Sequence, residues 1–260
     1  MAIELNKLSY QDKIKNISYQ FEEEKITTII SSSGEGKTLL SYILAGLIKD
    51  YSGNYTNDYI GRDLGYIFEN PEESFIFSSV KEELSFGLNK YNYKTNILDK
   101  RIKDSLKIVG LDITYLDKNP FELSSGEKHL LSLATTLALN PKVIIIDDPT
   151  IYLDNKNEEY LIKLLKKLKN NYHKTIIIFT SNIEFTLKVT DNYIILKNGK
   201  IISKGNNKEL LTNMDKVKKS GISIPPIVDF ITTTSKKKNI NLSMTFDIKE
   251  LMKDIYRNAN

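Results

Sequence analysis

The spacing of hydrophobic and polar positions changes several times along the chain, and each change marks a different element. Ile3, Leu5 and Leu8 alternate loosely with polar residues up to Tyr10, and the β-branched run Lys25–Ile30 follows, so both stretches read as strands. The Ser/Gly cluster Ser31–Gly36 ends the second of these, after which Leu39, Leu40, Ile43, Leu44 and Leu47 recur at helical spacing. Strand, glycine-bearing loop and helix in that order form the first half of a βαβ unit. From about residue 70 to 140 the pattern turns helical, over Val80–Leu88, Asp99–Val109 and Glu127–Leu139, with polar loops and no convincing strand. Two continuous apolar runs, Lys142–Asp147 and Thr175–Thr180, flank a helical Glu158–Lys169, which predicts a parallel sheet covered on both faces. Tyr193–Leu196 and Ile201–Ser203 flank Asn198-Gly199, a hairpin signal. The Lys-rich end, with Pro225-Pro226 at its centre and a helix-like Ile248–Ile255, reads as an appended small unit.

Composition narrows the function classes. The 260 residues are 40% hydrophobic and 27% charged, ordinary for a globular protein with a large core. Thirty-seven Lys plus Arg against 33 Asp plus Glu leave a net charge of +4, so a strongly basic nucleic-acid binder is not indicated. No Cys is present, which removes disulfide, thiolate and cysteine–metal chemistry, and two His make a histidine-rich metal centre implausible. The longest apolar runs, such as Val143–Ile146 and Ile176–Phe179, fall far short of the ~20 residues that cross a bilayer, and the N-terminus lacks a basic-then-apolar signal pattern. The expectation is a cytosolic chain whose membrane role, if any, comes through partners.

Three stretches carry chemistry. The loop Ser31-Ser32-Ser33-Gly34-Glu35-Gly36-Lys37-Thr38 has every element of the phosphate-loop pattern except its first Gly, which is Ser31. Successive backbone N–H groups and the positive end of the following helix would cradle phosphate oxygens, with Lys37 reaching the β and γ phosphates and the Thr38 hydroxyl holding Mg²⁺. A Ser/Gly loop capping a helix is the plainer alternative. Ser31 would cost about 1–2 kcal/mol if its position needed positive φ. The run Val143–Ile146 ends in Asp147-Asp148, where a carboxylate at a strand end can reach the Mg²⁺ shell or merely mark a turn. Leu123-Ser124-Ser125-Gly126-Glu127 opens a helix; it is ordinary capping chemistry, and it also suits a phosphate arriving from another molecule.

The order of phosphate loop, Phe68-Glu69-Asn70-Pro71, Leu-Ser-Ser-Gly-Glu, Ile-Ile-Asp-Asp-Pro-Thr and Leu153-Asp154 resembles the nucleotide-binding subunits of ABC transporters. Gly65–Leu88 and the tail around Ser220–Lys253 are most similar to the ATPases of energy-coupling factor transporters, which import vitamins and transition-metal ions. The resemblance covers essentially the whole chain. It implies an α/β phosphate-loop NTPase of the ABC type: a mostly parallel central sheet, an antiparallel N-terminal β part, and an inserted helical subdomain at about 70–139. The nucleotide-binding domain would be 1–214 and a small C-terminal extension 215–260. It implies ATP and Mg²⁺ as ligands, with ATP held by Ser31 through Thr38 and by Leu39, and the metal by Thr38, Asp147 and Glu69. It further implies a head-to-tail dimer in which Ser124, Ser125, Gly126 and Glu127 face the partner's ATP and Asp154 lies in the dimer loop. The implied partners are a second ABC ATPase subunit, a transmembrane coupling subunit and a substrate-binding membrane subunit, with the chain peripheral on the cytoplasmic face. Residues 69–88 would help receive a membrane subunit's coupling helices, and Glu69, Glu72, Glu73, Glu82 and Glu83 make that stretch acidic; a solvated helix face is the alternative. Tyr10 is the nearest candidate to stack on adenine, with Asp12 the competing position.

The departures from the family cluster around hydrolysis. Its general-base Glu is here Asp148, its switch His is Ser181, its loop Gln is Glu69, and its signature has Ser125 where Gly is usual. A carboxylate one methylene shorter is drawn back by over about 1 Å, and proton abstraction depends on reach. These changes imply binding kept and hydrolysis slowed at the chain's own half-site, with a non-identical, fully equipped partner. A non-hydrolysing ATP clamp and a soluble ABC ATPase are the competing readings. His129 is expected on the exposed side of its helix, His173 in a polar turn, and the Lys runs 166–169 and 236–238 on solvated surface.

Overall fold

Short strands buried on both faces organise the molecule. The structure is a computed structural model that describes residues 3–238, 240, 242 and 244–259. The chain begins with β1 (Ile3–Tyr10), β2 (Ile14–Phe21) and β3 (Ile26–Ile30), then α1 (Lys37–Leu44), β4 (Ser52–Asn57) and β5 (Leu64–Ile67). The helical part is α2 (Val80–Lys90), α3 (Thr95–Val109) and α4 (Ser125–Ala138). There follow β6 (Val143–Asp147), α5 (Asn155–Tyr172), β7 (Thr175–Thr180), α6 (Ile183–Val189), β8 (Asn192–Lys197) and β9 (Lys200–Asn206). The chain closes with α7 (Asn207–Thr212), α8 (Met214–Lys219), α9 (Pro226–Lys238) and α10 (Ile248–Ala259).

The larger sheet runs β5-β6-β7-β3-β8-β9, parallel except for the β8–β9 hairpin. Alternate side chains of its central strands enter different cores, which is why β6 and β7 read as unbroken apolar runs. Ile144, Ile146, Ile176 and Ile178 pack against α2–α6, while Val143, Ile145, Ile177 and Phe179 pack against α1 and the smaller sheet. That smaller sheet is antiparallel, in the order β2-β1-β4.

The smaller sheet is only partly visible in the sequence, for a geometric reason. Register shifts fall between Leu5 and Leu8 on β1 against Tyr19 and Ile17 on β2, and Lys7 and Asn16 take positive φ. Buried positions are therefore spaced by three at Leu5/Leu8 and Ile14/Ile17, so period two is lost. Strand β4 has no fully buried residue.

The C-terminal residues share a core with the sheet. Met214, Val217, Ile222 and Val228 pack with Ile30, Tyr193, Ile195 and Leu210, and α8 runs across the 214/215 boundary. Ile231, Leu242 and Leu251 form a small separate cluster beyond.

Candidate phosphate-binding site

The carboxyl ends of β3, β6 and β7 converge on one site. Ile30 delivers Ser31, fully buried, into the loop before α1. Gly34 and Gly36 take φ of 81° and 94°, and a Cβ on Gly36 would stand 2.9 Å from Ile14 Cδ1 and 3.0 Å from the Lys13 carbonyl oxygen. Only glycine fits there. No side chain caps α1, so its first N–H groups remain available to an anion at the positive helix end. The loop is tied down elsewhere: Ser32 Oγ donates to the Ser220 carbonyl at 3.0 Å, and Glu35 accepts from the Asn198 amide. Ser31 is not among the residues with positive φ, which removes the backbone cost considered for its replacement of glycine. Lys37 is 7% exposed; its Nζ donates to the Ser31 carbonyl at 2.7 Å and lies 3.5 Å from Asp148 Oδ2.

The two aspartates at the end of β6 have different surroundings. Asp147 Oδ2 accepts from Ser41 Oγ at 3.2 Å and from the Tyr66 hydroxyl at 3.3 Å, while Oδ1 is buried without a partner. Burial, then the Asp148 and Glu69 charges, push its carboxyl up to about 6, against hydrogen bonds from Thr38 and Ser41 that lower it. Thr38 is thus brought against Asp147, with the Glu69 charge felt from further off. A buried carboxylate oxygen lacking a partner, beside a hydroxyl, fits a divalent cation. Mg²⁺ takes one or two carboxylates plus phosphate oxygens and water rather than an all-protein cage. Asp148 sits at φ 37°, its Oδ1 accepting from the Ser181 amide at 3.3 Å. Its carboxylate is occupied by Lys37 and Ser181, and the Ser181 side chain is exposed. Sequence reasoning missed Ser41 and Tyr66; the signal for Ser41 was its place one turn beyond Lys37 on α1. Tyr10 is half-buried at the end of β1, and the following turn carries Asp12 and leads to Lys13 and Ile14, which pack on Gly36.

The second motif opens α4. Ser124 is its N-cap in a full capping box: Ser124 Oγ accepts from the Glu127 amide, and Glu127 Oε2 accepts from the Ser124 amide at 2.8 Å. Hydrogen bonds from Tyr115 and Ser124 hold the Glu127 carboxyl below its usual range. Ser125 Oγ donates to the Tyr152 carbonyl at 3.3 Å, and a Cβ on Gly126 would lie 3.0 Å from Asn157 Nδ2. Asp154 is exposed and caps α5 by accepting from the Asn157 amide at 2.8 Å. The Ser124–Glu127 turn and the 151–157 segment therefore form one surface, with Ile151 and Tyr152 half exposed. Among the described residues no hydrogen bond or ion pair joins that turn to the Ser31–Thr38 loop.

Two expectations are corrected here. His129 is buried, not exposed: its Nδ1 donates to the Ser125 carbonyl at 3.0 Å, its ring packs on Tyr152, and burial depresses its pKa. It lies at i+4 from Ser125, on the face that packs against Tyr152. The acidic stretch is also less acidic than its composition. Glu83 is turned inward to accept from the Ile76 and Phe77 amides, and Glu72 pairs with Lys128. Glu72, Glu73 and Glu82 stay exposed, and beside them the stretch shows Ile76, Phe86 and the neighbouring Phe121.

Comparison with known proteins gives the same picture as the geometry. The family profile described as ABC transporter matches residues 14–151. An energy-coupling factor transporter ATP-binding protein EcfA of Malacoplasma penetrans is 31% identical over 98% of this chain and 93% of its own length. EcfA1 of Mycoplasma mobile is 33% identical over 93% of this chain and 89% of its own, and EcfA2 of Clostridium perfringens 28% over 95% and 92%. Among solved structures, cbiO1 of Clostridium perfringens, part of the ABC transporter complex cbiONQ, superposes with a TM-score of 0.75 at 27% identity, covering 88% of this chain and 97% of that one. The dimeric cassette MJ0796 gives 0.70 at 26% identity over 79% and 98%.

Proposed function

The chain belongs to the ABC transporter family of ATP-binding proteins, and from that premise we propose that it is an ATPase subunit of an energy-coupling factor importer, driving uptake of a vitamin or transition-metal ion through membrane partners. The observation that carries the reading is the uncapped α1 N-terminus with Lys37 as its first residue and the unpartnered oxygen of Asp147, whose other oxygen bonds Ser41 of the same helix. Together they offer a positive cradle for a polyphosphate and a waiting ligand for its metal.

In this reading the loop amides of Ser32–Thr38 and Lys37 hold the ATP phosphates, and Leu39 and Tyr10 contribute to the rest of the nucleotide site. Thr38, Asp147 and Glu69 would hold Mg²⁺, which supplies charge neutralisation between the β and γ phosphates. Asp148 is the group nearest to a general base, but it starts from an ion pair with Lys37 and a hydrogen bond from Ser181. Ser181 presents a short neutral hydroxyl where a cationic ring would help stabilise the γ phosphate. Turnover at this half-site is therefore slow, and the chain pairs with a non-identical ATPase. Ser124, Ser125, Gly126 and Glu127 serve the partner's ATP, and Asp154 with Ile151 and Tyr152 lies at the subunit contact. Exposed Ile76, Phe86 and Phe121 supply an apolar seat for the coupling subunit. The complex sits on the cytoplasmic face of the membrane.

A second reading, in which the chain only clamps ATP while its partner does the chemistry, is favoured by the engagement of Asp148 with Lys37. Both are tested by phosphate release from the purified complex with Lys37→Ala in this chain alone. A partial fall in rate supports a slow but working half-site, and an unchanged rate supports the clamp. Recovery of this chain from gently solubilised membranes without a second ABC ATPase or a polytopic protein would overturn both.

A further inference from the structure

A cavity of about 500 Å³ lies between α3, the C-terminal end of α4 and α5. It is far from the phosphate loop. Asn140 and Lys174 lie just before β6 and β7, whose opposite ends carry Asp147, Asp148 and Ser181. A five-residue strand spans roughly 17 Å, so the two sites do not overlap. Leu137, Leu168 and the Tyr172 ring give the cavity apolar walls, and its charged lining is Lys100, Arg101 and Lys174 against the single carboxylate Asp104.

Lys174 is only 6% exposed, and its Nζ donates to Asn140 Oδ1 at 2.7 Å and to the Asn140 carbonyl at 3.4 Å. Arg101 lies 4.7 Å from the Tyr93 ring and donates through Nη1 to the Ala138 carbonyl at 3.1 Å. Arg101 thus caps the last turn of α4 and Lys174 holds the Asn140 turn just beyond it, and that role alone would explain a single positive charge. A helix C-terminus offers only about half a negative charge, however, and here it faces two full positive ones. Among the described residues no carboxylate stands within ion-pairing distance of either, Asp104 included. Burial, and then the Arg101 charge, hold the Lys174 ammonium below the usual lysine value, and the more distant Asp63 carboxylate offsets this only in part. Most of the five N–H donors of Arg101 are unengaged among the described residues, and their planar fork matches a carboxylate.

We propose that this cavity binds a small amphipathic monoanion, a carboxylate whose head lies between Lys174 and Arg101 and whose apolar body runs along Leu137, Leu168 and Tyr172. The volume falls within the range of about 300–1,000 Å³ typical of small-molecule sites. The site is independent of the transporter reading, since it uses none of the nucleotide-binding residues.

The test is isothermal titration of the full chain, with its nucleotide site saturated by MgADP, using octanoate, 1-octanol and inorganic phosphate as probes. Octanoate is expected to bind one to one, with octanol and phosphate each weaker by at least about tenfold. Lys174→Met and Arg101→Gln should each weaken octanoate by at least about tenfold while leaving the MgADP affinity unchanged. If Lys174→Met does not fold, Arg101→Lys, which keeps the charge and removes the fork, is expected to weaken octanoate by about fivefold. No one-to-one binding, octanol equal to octanoate, or variants without effect would each overturn the site. Phosphate equal to octanoate would overturn the amphipathic class.

Discussion

Replacing Asp148 by Asn isolates the ion pair that holds the phosphate loop before nucleotide arrives. Lys37 Nζ and Asp148 Oδ2 are 3.5 Å apart, with side chains 8% and 10% exposed. At an effective dielectric near 20 that separation corresponds to an attraction of about 5 kcal/mol, and deleting one member of a buried pair costs about 3–5 kcal/mol because the other charge is stranded. Lys37 keeps its hydrogen bond to the Ser31 carbonyl, so the lower figure applies. Asn tolerates the left-handed backbone of this position as well as Asp does, so no strain is added at φ 37°. Asp148→Asn should therefore destabilise the nucleotide-free chain by about 3 kcal/mol, a fall of about 6 °C in Tm. Once bound, the phosphates supply the counter-charge and the loss disappears. MgATP affinity should then rise roughly a hundredfold, since phosphate no longer displaces a carboxylate from Lys37. Thermal denaturation with and without MgATP, together with titration of a fluorescent ATP analogue, reads both effects. An unchanged nucleotide-free Tm with unchanged ATP affinity would refute the argument.

Asp147→Asn should act in the opposite sense. Burial pushes the native carboxyl up to about 6 from the usual 3.8, so the folded state binds its proton more tightly, and metal-free wild-type chain should lose about 3 kcal/mol as pH rises through that window. The stability of the variant relative to wild type, measured in EDTA, should climb by that amount between about pH 4 and 7 and then level off, and its stabilisation by MgATP should vanish; a flat difference would count against the buried, unpartnered carboxylate. Ser31→Gly should change ATP affinity by less than about twofold and cost about 0.5–1 kcal/mol of stability, because the position does not use glycine's conformations. Gly36→Ala should lower ATP affinity by at least about tenfold in a chain that still folds, since φ 94° and the 2.9 Å approach to Ile14 force the loop to move. Circular dichroism alongside the binding titration separates that outcome from unfolding.

How far the sequence could be read follows from what each residue answers to. Strands β3, β6 and β7 were legible because burial on both faces demands an unbroken β-branched run, and the loop after β3 was legible because glycines at positive φ cannot be replaced. Strand β5 was not, since its four residues include Gly65, where a Cβ would come within 2.3 Å of Thr136 Cγ2. Tyr66, the hydroxyl that partners Asp147, was hidden with it. Helix α9 begins at Pro226, a helix start that the sequence reading, which placed Pro225-Pro226 at the centre of a Lys-rich unit, did not assign. His129 and Glu83 were misplaced for a shared reason. A polar residue on an amphipathic helix is assigned to the wet face by default, and only tertiary partners, here the Ser125 carbonyl with the Tyr152 ring and the amides of residues 76–77, reveal an inward one.

The four departures from the family pattern around the chain's own phosphate site differ in kind. Ser31 is silent, because its backbone stays in ordinary conformations and its side chain is buried against its own loop. Glu69 acts at a distance, as one of the charges that raise the Asp147 carboxyl. Asp148 and Ser181 form a single unit, since one carboxylate binds the Ser181 amide through Oδ1 and faces Lys37 through Oδ2. A longer Glu at 148 could not keep both partners without moving the strand end, so restoring that residue alone would disturb the lysine it should leave intact. In the proposed reading Lys37, Thr38 and Asp147 would grip phosphate and metal; Asp147 is held by Ser41 and Tyr66, whereas Lys37 touches both the Ser31 carbonyl and Asp148. The metal side of the half-site is therefore independent of Ser181, while the phosphate side is coupled to Asp148 through Lys37. That coupling is why a change at residue 148 reaches nucleotide affinity, whereas one confined to the side chain of residue 181 does not.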